Sequence, residues 1–385
     1  MKRIAILGAT GSIGRQALET VDHLNSVVPG SWQVHALSAD SSIDELARLA
    51  MQYKPEAVAC APTKAAALGE LLRGTATKFV SGEDALCHFV TDGSVDIALI
   101  AVYGLAAVPP LMAAAERGKR IALASKEALV AAGRFVMEAA RRGGATILPV
   151  DSEHSALFQL LAAERQIKRA IITASGGPFI GRSREELKEV TFEQAQRHPT
   201  WTMGTGITLN SATLFNKGLE VIEAHHLFGL APERIDVLIE PTSRVHALLE
   251  LADGSHLMHC GEPDMRVPIQ YALTWPDRGP ALGSQIELAG STLQFSAPDD
   301  STFPALAACR QALAGPWWLP AALIAANEEL SARFKSGALG FLDIGDTLMQ
   351  LANEPSLLGL GIVEEQLFEL TRVTKAVSSW LGHAL

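Results

Sequence analysis

The sequence is short of cysteine and of positive charge, and each shortage excludes a class of protein. Only four cysteines occur among 385 residues, at Cys60, Cys87, Cys260 and Cys309. Because no two of them form a CxxC pair, we expect neither a structural zinc site nor a disulfide framework, and a reducing, cytoplasmic compartment fits best. The formal net charge of −10 argues against a nucleic-acid partner and against binding to an anionic membrane. An anionic substrate would therefore need a local cluster of donors.

Uninterrupted hydrophobic runs and aromatic residues are also scarce. The apolar run from Ile97 to Ala115 is divided by Gly104 and by Pro109-Pro110. It therefore predicts a buried strand, a loop and a helix with prolines in its first turn, and not a membrane span. Aromatic residues make up 6% and hydrophobic residues 48% of the chain. Small aliphatic side chains must build the interior, which favours helices packed on buried strands.

Hydrophobic patterning predicts an α/β protein of several domains. Residues 1–150 alternate short apolar runs with amphipathic stretches, which predicts a Rossmann-like, doubly wound parallel sheet. Residues 151–285 predict an α+β domain, 286–304 a linker rich in proline and glycine, and 305–385 a C-terminal helical bundle. The predicted strands of the first domain are 3–7, 33–37, 57–61, 96–101, 120–124 and 146–150. In the second domain we predict one helix over 211–228 and a hairpin of strands 245–251 and 255–260.

A glycine-rich turn follows the first predicted strand and opens a helix. It contains Gly8, Thr10, Gly11, Ser12, Ile13 and Gly14. Glycines allow a tight turn and a close approach to a pyrophosphate, while the helix N-terminus supplies N–H donors and a positive dipole end. This position in a βα series favours nucleotide binding over a turn without a ligand.

The residues after the second strand, Asp40-Ser41-Ser42, bear on which nucleotide is bound. An acidic residue here usually bonds a ribose 2′-hydroxyl and favours NAD. Asp40 can equally be a solvated loop residue or the N-cap of a helix over 43–50.

Three carboxylates form a candidate metal site. If the chain stays extended after strand 146–150, Asp151 and Glu153 point to one side and can share an ion. In the predicted helix 211–228, Ser211 is the N-cap, and Asn216, Lys217 and Glu220 gather an amide, a cation and a carboxylate on adjoining surface. Oxygen ligands without cysteine suit Mg²⁺ or Mn²⁺. Taken singly, each motif is as well explained by helix caps and surface ion pairs.

Taken together, the motifs resemble one enzyme family. The strings GATGSIG, SKEALV, LPVDSEHSALFQ, ASGGPF, RHPTWTMG, NSATLFNKGLEVIEA and GEPDMR occur in this order. They resemble successive motifs of the 1-deoxy-D-xylulose 5-phosphate reductoisomerases over residues 1 to about 275. The resemblance implies rearrangement of that sugar phosphate, assisted by a metal, followed by reduction with NADPH to 2-C-methyl-D-erythritol 4-phosphate, a step in the synthesis of isoprenoid precursors. It also implies a homodimer, catalysis by the second domain, and a lid over 174–206 in which Trp201 and Met203 cover the substrate.

The resemblance also implies roles for individual residues. The expected catalytic group is Lys126 with the metal ligands Asp151, Glu153 and Glu220. Lys126, Glu153 and Glu220 are also expected to contact the substrate, together with Ser152, Ser175, His198, Ser211, Asn216 and Lys217. Beside the glycine turn and residues 40–42, the expected NADPH contacts are Ser125, Glu127 and Gly204.

The chain departs from the family at two places near the cofactor. Many members carry Gly-Lys-Asn where this chain has Asp40-Ser41-Ser42, and many have Asn where Ser125 stands. We still expect NADPH, because Ser41 and Ser42 at a helix N-terminus can bind the 2′-phosphate while Asp40 turns to solvent. Two other functions remain: a two-domain dehydrogenase that needs no metal, and a nucleotide-sensing module without turnover.

Overall fold

A computed structural model describes residues 1–82, 84–164, 166–201, 204–361 and 364–384. The chain divides into two structural units. The first contains Met1–Ala128, Arg134–Ser155 and Asp264–Ser284, and the second contains Leu129–Gly133, Ala156–Pro263 and the chain from Gln285 onward. Within the described residues, no helix combines the length and hydropathy needed to cross a bilayer.

Strands and helices alternate through the first half of the chain. The strands are β1 (Lys2–Leu7), β2 (Trp32–Ser38), β3 (Ala57–Ala59), β4 (Lys78–Phe79), β5 (Ile97–Ile100), β6 (Arg120–Leu123) and β7 (Thr146–Pro149). The helices are α1 (Ser12–Val27), α2 (Ile43–Tyr53), α3 (Ala65–Leu71), α4 (Ala85–Thr91), α5 (Val108–Glu116), α6 (Lys126–Gly143) and α7 (Ser152–Ala163).

The strands of the first unit form a parallel sheet in the order β4-β3-β2-β1-β5-β6-β7. The order reverses direction between β1 and β5, as in a doubly wound fold, and ligands of such folds bind at the carboxyl ends of the strands beside this switch point. All four residues of β5 are buried, because helices cover both faces. The predicted Rossmann-like fold is confirmed. The sequence did not predict β4, which is only two residues long.

The second unit contains a smaller sheet, the part of α7 from Ala156 onward and the later helices, except the helix Arg266–Thr274, which belongs to the first unit. Its strands are β8 (Ile167–Ala174), β9 (Ile235–Ile239), β10 (Val245–Leu251) and β11 (His256–Cys260), in the order β11-β10-β8-β9. The predicted hairpin is confirmed, with β10 and β11 antiparallel. The helices that follow β8 are α8 (Arg184–Leu187), α9 (Phe192–Ala195), α10 (Thr205–Ala212), α11 (Phe215–Phe228), α12 (Arg266–Thr274), α13 (Ala305–Ala314), α14 (Leu319–Ser336), α15 (Phe341–Asn353) and α16 (Glu369–Ala384).

The prediction of a single helix over 211–228 was wrong, because α10 and α11 are separate. Leu214, between them, has a left-handed φ of 61°. The hydroxyl of Thr213 accepts from the backbone N–H of Phe215 at 3.3 Å. Ser211 therefore lies near the end of α10 and does not cap α11. The buried stripe of α11 is confirmed, since Phe215, Leu219 and Ile222 are at most 1% exposed; burying each such side chain contributes roughly 1.5–3 kcal/mol.

The segment 286–304 is attached to the small sheet of the second unit. Ser296 and Ile239 exchange backbone hydrogen bonds of 2.8 and 3.0 Å. Leu293 and Phe295 pack on the buried cluster of Ile171, Val245 and Leu248. After this segment the chain is helical, as its Ala/Leu-rich pattern predicts.

Candidate active site

The glycine turn lies at the carboxyl end of β1, and two of its glycines are required by packing. Gly8 has a φ of +84°, and a Cβ there would meet the carbonyl oxygen of Ala101 at 2.4 Å. A Cβ on Gly14 would meet the carbonyl oxygen of Gly8 at 2.3 Å. A side chain at Gly8 would collide with the backbone that follows β5, and one at Gly14 would collide with the backbone of the turn itself.

Gly11 has a different environment, since it is exposed and the nearest atom to an added Cβ is the Gly8 oxygen at 3.3 Å. It is the N-cap of α1 and has no side chain to occupy the N–H groups of the first turn. Ser12 is exposed, while Thr10 and Ile13 are half-buried. This side of the turn can receive an anion at the N-terminus of α1.

The loop after β2 is open to solvent. Asp40, Ser41 and Ser42 are all exposed. Ser42 is the N-cap of α2, and its side chain makes no capping hydrogen bond. Asp40 is held through its backbone carbonyl, which accepts from the N–H of Ala61 at 3.0 Å. Asp40 is therefore a solvated loop residue and not the helix N-cap.

At the carboxyl end of β6, the hydroxyl of Ser125 is directed into the protein. Ser125 is 3% exposed, and its Oγ lies within hydrogen-bond distance of the carbonyl oxygens of Ile100 and Val102. Glu127 is also buried. Its pKa is raised mainly by burial and also by the charge of Asp151, against the opposing effects of its own backbone N–H and Lys126.

Lys126 and Asp151 form an ion pair in the first unit. The Lys126 Nζ lies 2.5 Å from Asp151 Oδ2, and both side chains are about nine-tenths buried, with 12% and 11% of their surface exposed. Lys126 is the first residue of α6 and Asp151 follows β7. Each is thus placed by the end of a strand, at the edge where the glycine turn lies.

The prediction that Asp151 and Glu153 belong to one extended segment was wrong, because α7 begins at Ser152. Asp151 Oδ1 accepts from the backbone N–H of Glu153 at 3.3 Å, as an N-cap does, and also lies 3.1 Å from His154 Nδ1. The hydroxyl of Ser152 donates to Glu153 Oε2 at 3.0 Å. No role was predicted for His154; its spacing of three from Asp151 becomes a signal only once this segment is known to be helical.

In the second unit, α11 carries the predicted amide, cation and carboxylate on one face. Asn216 Nδ2 donates to Glu220 Oε1, and Lys217 Nζ donates to Glu220 Oε2. Lys217 and Glu220 are 5% and 2% exposed. A carboxylate buried this deeply requires a compensating cation, and Lys217 provides one.

In the second unit, the predicted residues Ser175 and Ser211 both lie beside the imidazole of a third predicted residue, His198. His198 Nε2 lies 3.0 Å from the Oγ of Ser175, at the end of β8, and 3.1 Å from the Oγ of Ser211, in α10. Gly177 permits this approach, since a Cβ there would meet the carbonyl oxygen of Ser211 at 2.8 Å. Burial lowers the pKa of His198 to about 4, so the ring is neutral at neutral pH and two hydroxyls stand beside it.

Part of the predicted lid, 174–206, is anchored to the C-terminal helices. The rings of Phe179 and Phe341 are 4.9 Å apart in an edge-to-face contact, and those of Phe192 and Phe334 are 6.1 Å apart. An ion pair of 2.6 Å joins Arg184 to Asp346. Trp201 is half-buried and Gly204 is the exposed N-cap of α10, whereas Met203 lies outside the described residues.

Comparison with known proteins shows the family. Models of the 1-deoxy-D-xylulose 5-phosphate reductoisomerase family match residues 4–133, 147–228 and 260–376. A 1-deoxy-D-xylulose 5-phosphate reductoisomerase of Desulfitobacterium hafniense is 45% identical over 360 residues, which cover 93% of each chain. The chain belongs to this family. A reductoisomerase of Heliobacterium modesticaldum is 49% identical over 349 residues, 89% of this chain and 88% of the relative.

Solved structures of the reductoisomerase family extend the likeness to the whole fold. A DOX-P reductoisomerase in complex with NADPH, fosmidomycin and magnesium is 35% identical, with a TM-score of 0.91 over 100% of this chain and 97% of its own. The Zymomonas mobilis enzyme in complex with NADPH is 35% identical, with a TM-score of 0.89 over 100% and 98% of the two chains.

Proposed function

We propose that this chain converts 1-deoxy-D-xylulose 5-phosphate into 2-C-methyl-D-erythritol 4-phosphate, using NADPH and Mg²⁺ or Mn²⁺. The observation that carries the proposal is the match along the entire chain to a family member solved with NADPH and magnesium. The residues of the site support it independently, since this chemistry needs both a nucleotide turn and a set of hard oxygen ligands. A dehydrogenase without a metal, or a nucleotide sensor, needs no buried carboxylate such as Glu220.

We assign NADPH to the turn after β1 and to the loop after β2. The pyrophosphate would lie on Gly11 and the first turn of α1, and the 2′-phosphate on Ser41 and Ser42 before α2. Glu127 and Gly204 remain proposed contacts of the nicotinamide end. Because the hydroxyl of Ser125 points to backbone carbonyls, we infer that Ser125 acts by holding the strand ends rather than by touching the cofactor.

Two glycine variants separate folding from cofactor binding. Gly14→Ala should lower the melting temperature by several degrees, because its Cβ would overlap the Gly8 oxygen. Gly11→Ala should leave the melting temperature near that of the parent protein and weaken NADPH, because the added methyl narrows the space for the pyrophosphate. Thermal denaturation and NADPH fluorescence titration measure the two effects. If both variants lost the same affinity for NADPH and neither lost stability, these assignments would be contradicted.

The loop after β2 should make the preference for NADPH over NADH modest. Asp40 is exposed, and its charge opposes a 2′-phosphate of nearly two negative charges. Asp40→Gly should therefore raise the ratio of kcat/KM for NADPH to that for NADH. The Asp277→Asn variant, which removes an exposed charge elsewhere in the same unit, serves as the control. A parent enzyme that clearly prefers NADH would show that Asp40 binds the ribose, and would refute NADPH as its cofactor.

We propose that Asp151, Glu153 and Glu220 hold the divalent cation. Each is a carboxylate, the donor type that Mg²⁺ and Mn²⁺ prefer. The ion pairs of Asp151 with Lys126 and of Glu220 with Lys217 support this assignment, because a carboxylate that binds an ammonium group can also bind a metal cation. Once bound, the ion would stabilise negative charge on the substrate's ketone and hydroxyl oxygens. Lys126 and Ser152 would orient the same end of the substrate.

Ser175, His198, Ser211, Asn216 and Lys217 are the proposed donors to the substrate phosphate. The neutral ring of His198 lets the two serine hydroxyls turn towards an anion, and Lys217 supplies charge. The energy of binding the phosphate, far from the reacting carbons, would orient the substrate and close the segment that follows His198. Closure would exclude water from the site, where bound NADPH would supply the hydride.

The overall proposal is tested by one assay. NADPH oxidation is followed with 1-deoxy-D-xylulose 5-phosphate, with and without Mn²⁺ or Mg²⁺. We expect turnover that requires sugar phosphate and metal together. Turnover that persists after chelation would favour a dehydrogenase, and NADPH binding without any turnover would favour a sensor.

We also propose a cytoplasmic homodimer. The four cysteines are free thiols, which suits a reducing compartment. β11 is the edge strand of the small sheet, and Leu257 and Met258 on it are 37% and 41% exposed. An apolar strand edge of this kind needs cover. Sedimentation velocity at micromolar concentration should give the mass of two chains; a monomer would refute the dimer.

A further inference from the structure

A fully buried carboxylate, Glu240, shapes the turn between β9 and β10. Its side chain is 0% exposed. Oε1 accepts from the N–H and the hydroxyl of Thr242 at 3.1 and 2.7 Å. Oε2 accepts from the N–H groups of Arg244 and Val245 at 2.8 and 3.2 Å. Every one of these contacts fixes the backbone of residues 242–245, so the geometry of the turn depends on this side chain.

The turn holds Ser243 in an unusual conformation. Its φ is +55°, a left-handed value that serine rarely adopts without a compensating interaction. Ser243 is 6% exposed, and its N–H donates to the carbonyl oxygen of Glu240 at 3.1 Å. In this position the Ser243 Oγ lies 3.0 Å from the Oγ1 of Thr200.

Thr200 in turn belongs to the segment that is bound to His198. The backbone N–H groups of Thr200 and Trp201 both donate to His198 Nδ1, at 3.2 and 2.9 Å. A ring nitrogen that accepts two N–H groups carries no proton, so the proton of the neutral ring is on Nε2, the atom beside the hydroxyls of Ser175 and Ser211. Contacts thus run without a break from Glu240 to the proposed phosphate donors.

We propose that Ser243, set by Glu240, is a positioning residue that fastens residues 198–201 above the substrate phosphate through its hydrogen bond to Thr200. The proposal rests on the proposed function, which places the phosphate at His198 and its serines. Without the bond, residues 200–201 have one contact fewer to hold them when the substrate enters. Loss of the bond should therefore weaken binding of the phosphorylated substrate and leave the rate of the chemical step nearly unchanged.

The decisive variant is Ser243→Gly. Glycine adopts a positive φ without strain, so the turn keeps its shape while the hydroxyl is lost. We expect an unchanged or higher melting temperature and a KM for 1-deoxy-D-xylulose 5-phosphate raised about fivefold, the size of one lost neutral hydrogen bond. The kcat should change less than about twofold by the same reasoning. Ser255→Gly, which removes an exposed hydroxyl from the β10–β11 turn, is the matched control and should change neither constant.

Thr200→Val tests the other end of the bond. It should raise KM by the same factor, and the double variant should lose no more than either single one, since both remove one interaction. Glu240→Gln should act in the same direction, because an amide nitrogen cannot accept from the N–H donors that it would face. Additive losses in the double variant, or a parental KM in Ser243→Gly, would overturn the proposal.

Hydrogen exchange supplies a readout that needs no turnover. In Ser243→Gly, the backbone amides of Thr200 and Trp201 should exchange faster than in the parent protein, while those of β10 keep their protection. Parental protection at both amides would refute the fastening role. If the parent protein itself fails to turn over the sugar phosphate, the proposed function fails, and the exchange result still decides whether Ser243 holds this segment.

Discussion

Replacing Glu220 by Gln should lower kcat for the oxidation of NADPH with 1-deoxy-D-xylulose 5-phosphate by on the order of 10²–10³. An amide keeps the volume of the carboxylate but removes the charge that a hard cation needs. NADPH affinity, measured by fluorescence titration, should stay within about twofold because the exchange leaves the residues of the nucleotide turn unchanged. An activity above a few per cent of the parent would remove Glu220 from the proposed metal ligands.

The controls must distinguish loss of a metal ligand from loss of stability. Glu220 also neutralises Lys217, and both side chains are buried. Removing one partner of a buried ion pair often costs about 3–5 kcal/mol of stability, so an inactive protein could simply be unfolded. Circular dichroism and the melting temperature of the variant would show whether it is folded. Glu220→Asp keeps the charge and should retain the fold, and Glu233→Gln, at an exposed position of the same unit, should match the parent in every measurement.

The parallel sheet could be predicted from the sequence because its strands are short, aliphatic and buried on both faces. Such runs, separated by amphipathic stretches, are compatible with few folds other than a parallel sheet covered by helices. β4 was not predicted because two residues, one of them the exposed Lys78, carry no pattern. The arrangement of site residues could be predicted from the sequence where they lie close together on a single helix. Asn216, Lys217 and Glu220 meet because residues three and four apart on a helix are neighbours.

The predictions that were wrong depend on backbone geometry that the side chains do not encode. No glycine or proline marks the break at Leu214, so the sequence does not signal its left-handed conformation. Asp151 ahead of the acidic Glu153 fits the start of a helix, but the same residues also fit an extended chain with both carboxylates on one side. The contact between Thr200 and Ser243 spans 43 positions, and no pattern in one sequence predicts a pair so far apart.

Lys217→Ala should reduce kcat/KM for 1-deoxy-D-xylulose 5-phosphate by about 10- to 150-fold, the range for losing one charge-assisted hydrogen bond. If Lys217 binds the phosphate, the dephosphorylated sugar, which makes no such contact, should be affected far less. The structure offers a competing role, since Lys217 neutralises Glu220, and loss of that role would slow both substrates equally. The ratio of the two effects therefore distinguishes phosphate binding from support of a metal ligand.

Lys188→Ala, at an exposed lysine paired with Glu185, should leave kcat/KM unchanged for both substrates. Lys217→Arg keeps the charge in a bulkier group, and it should recover part of the loss only if charge is what the phosphate requires.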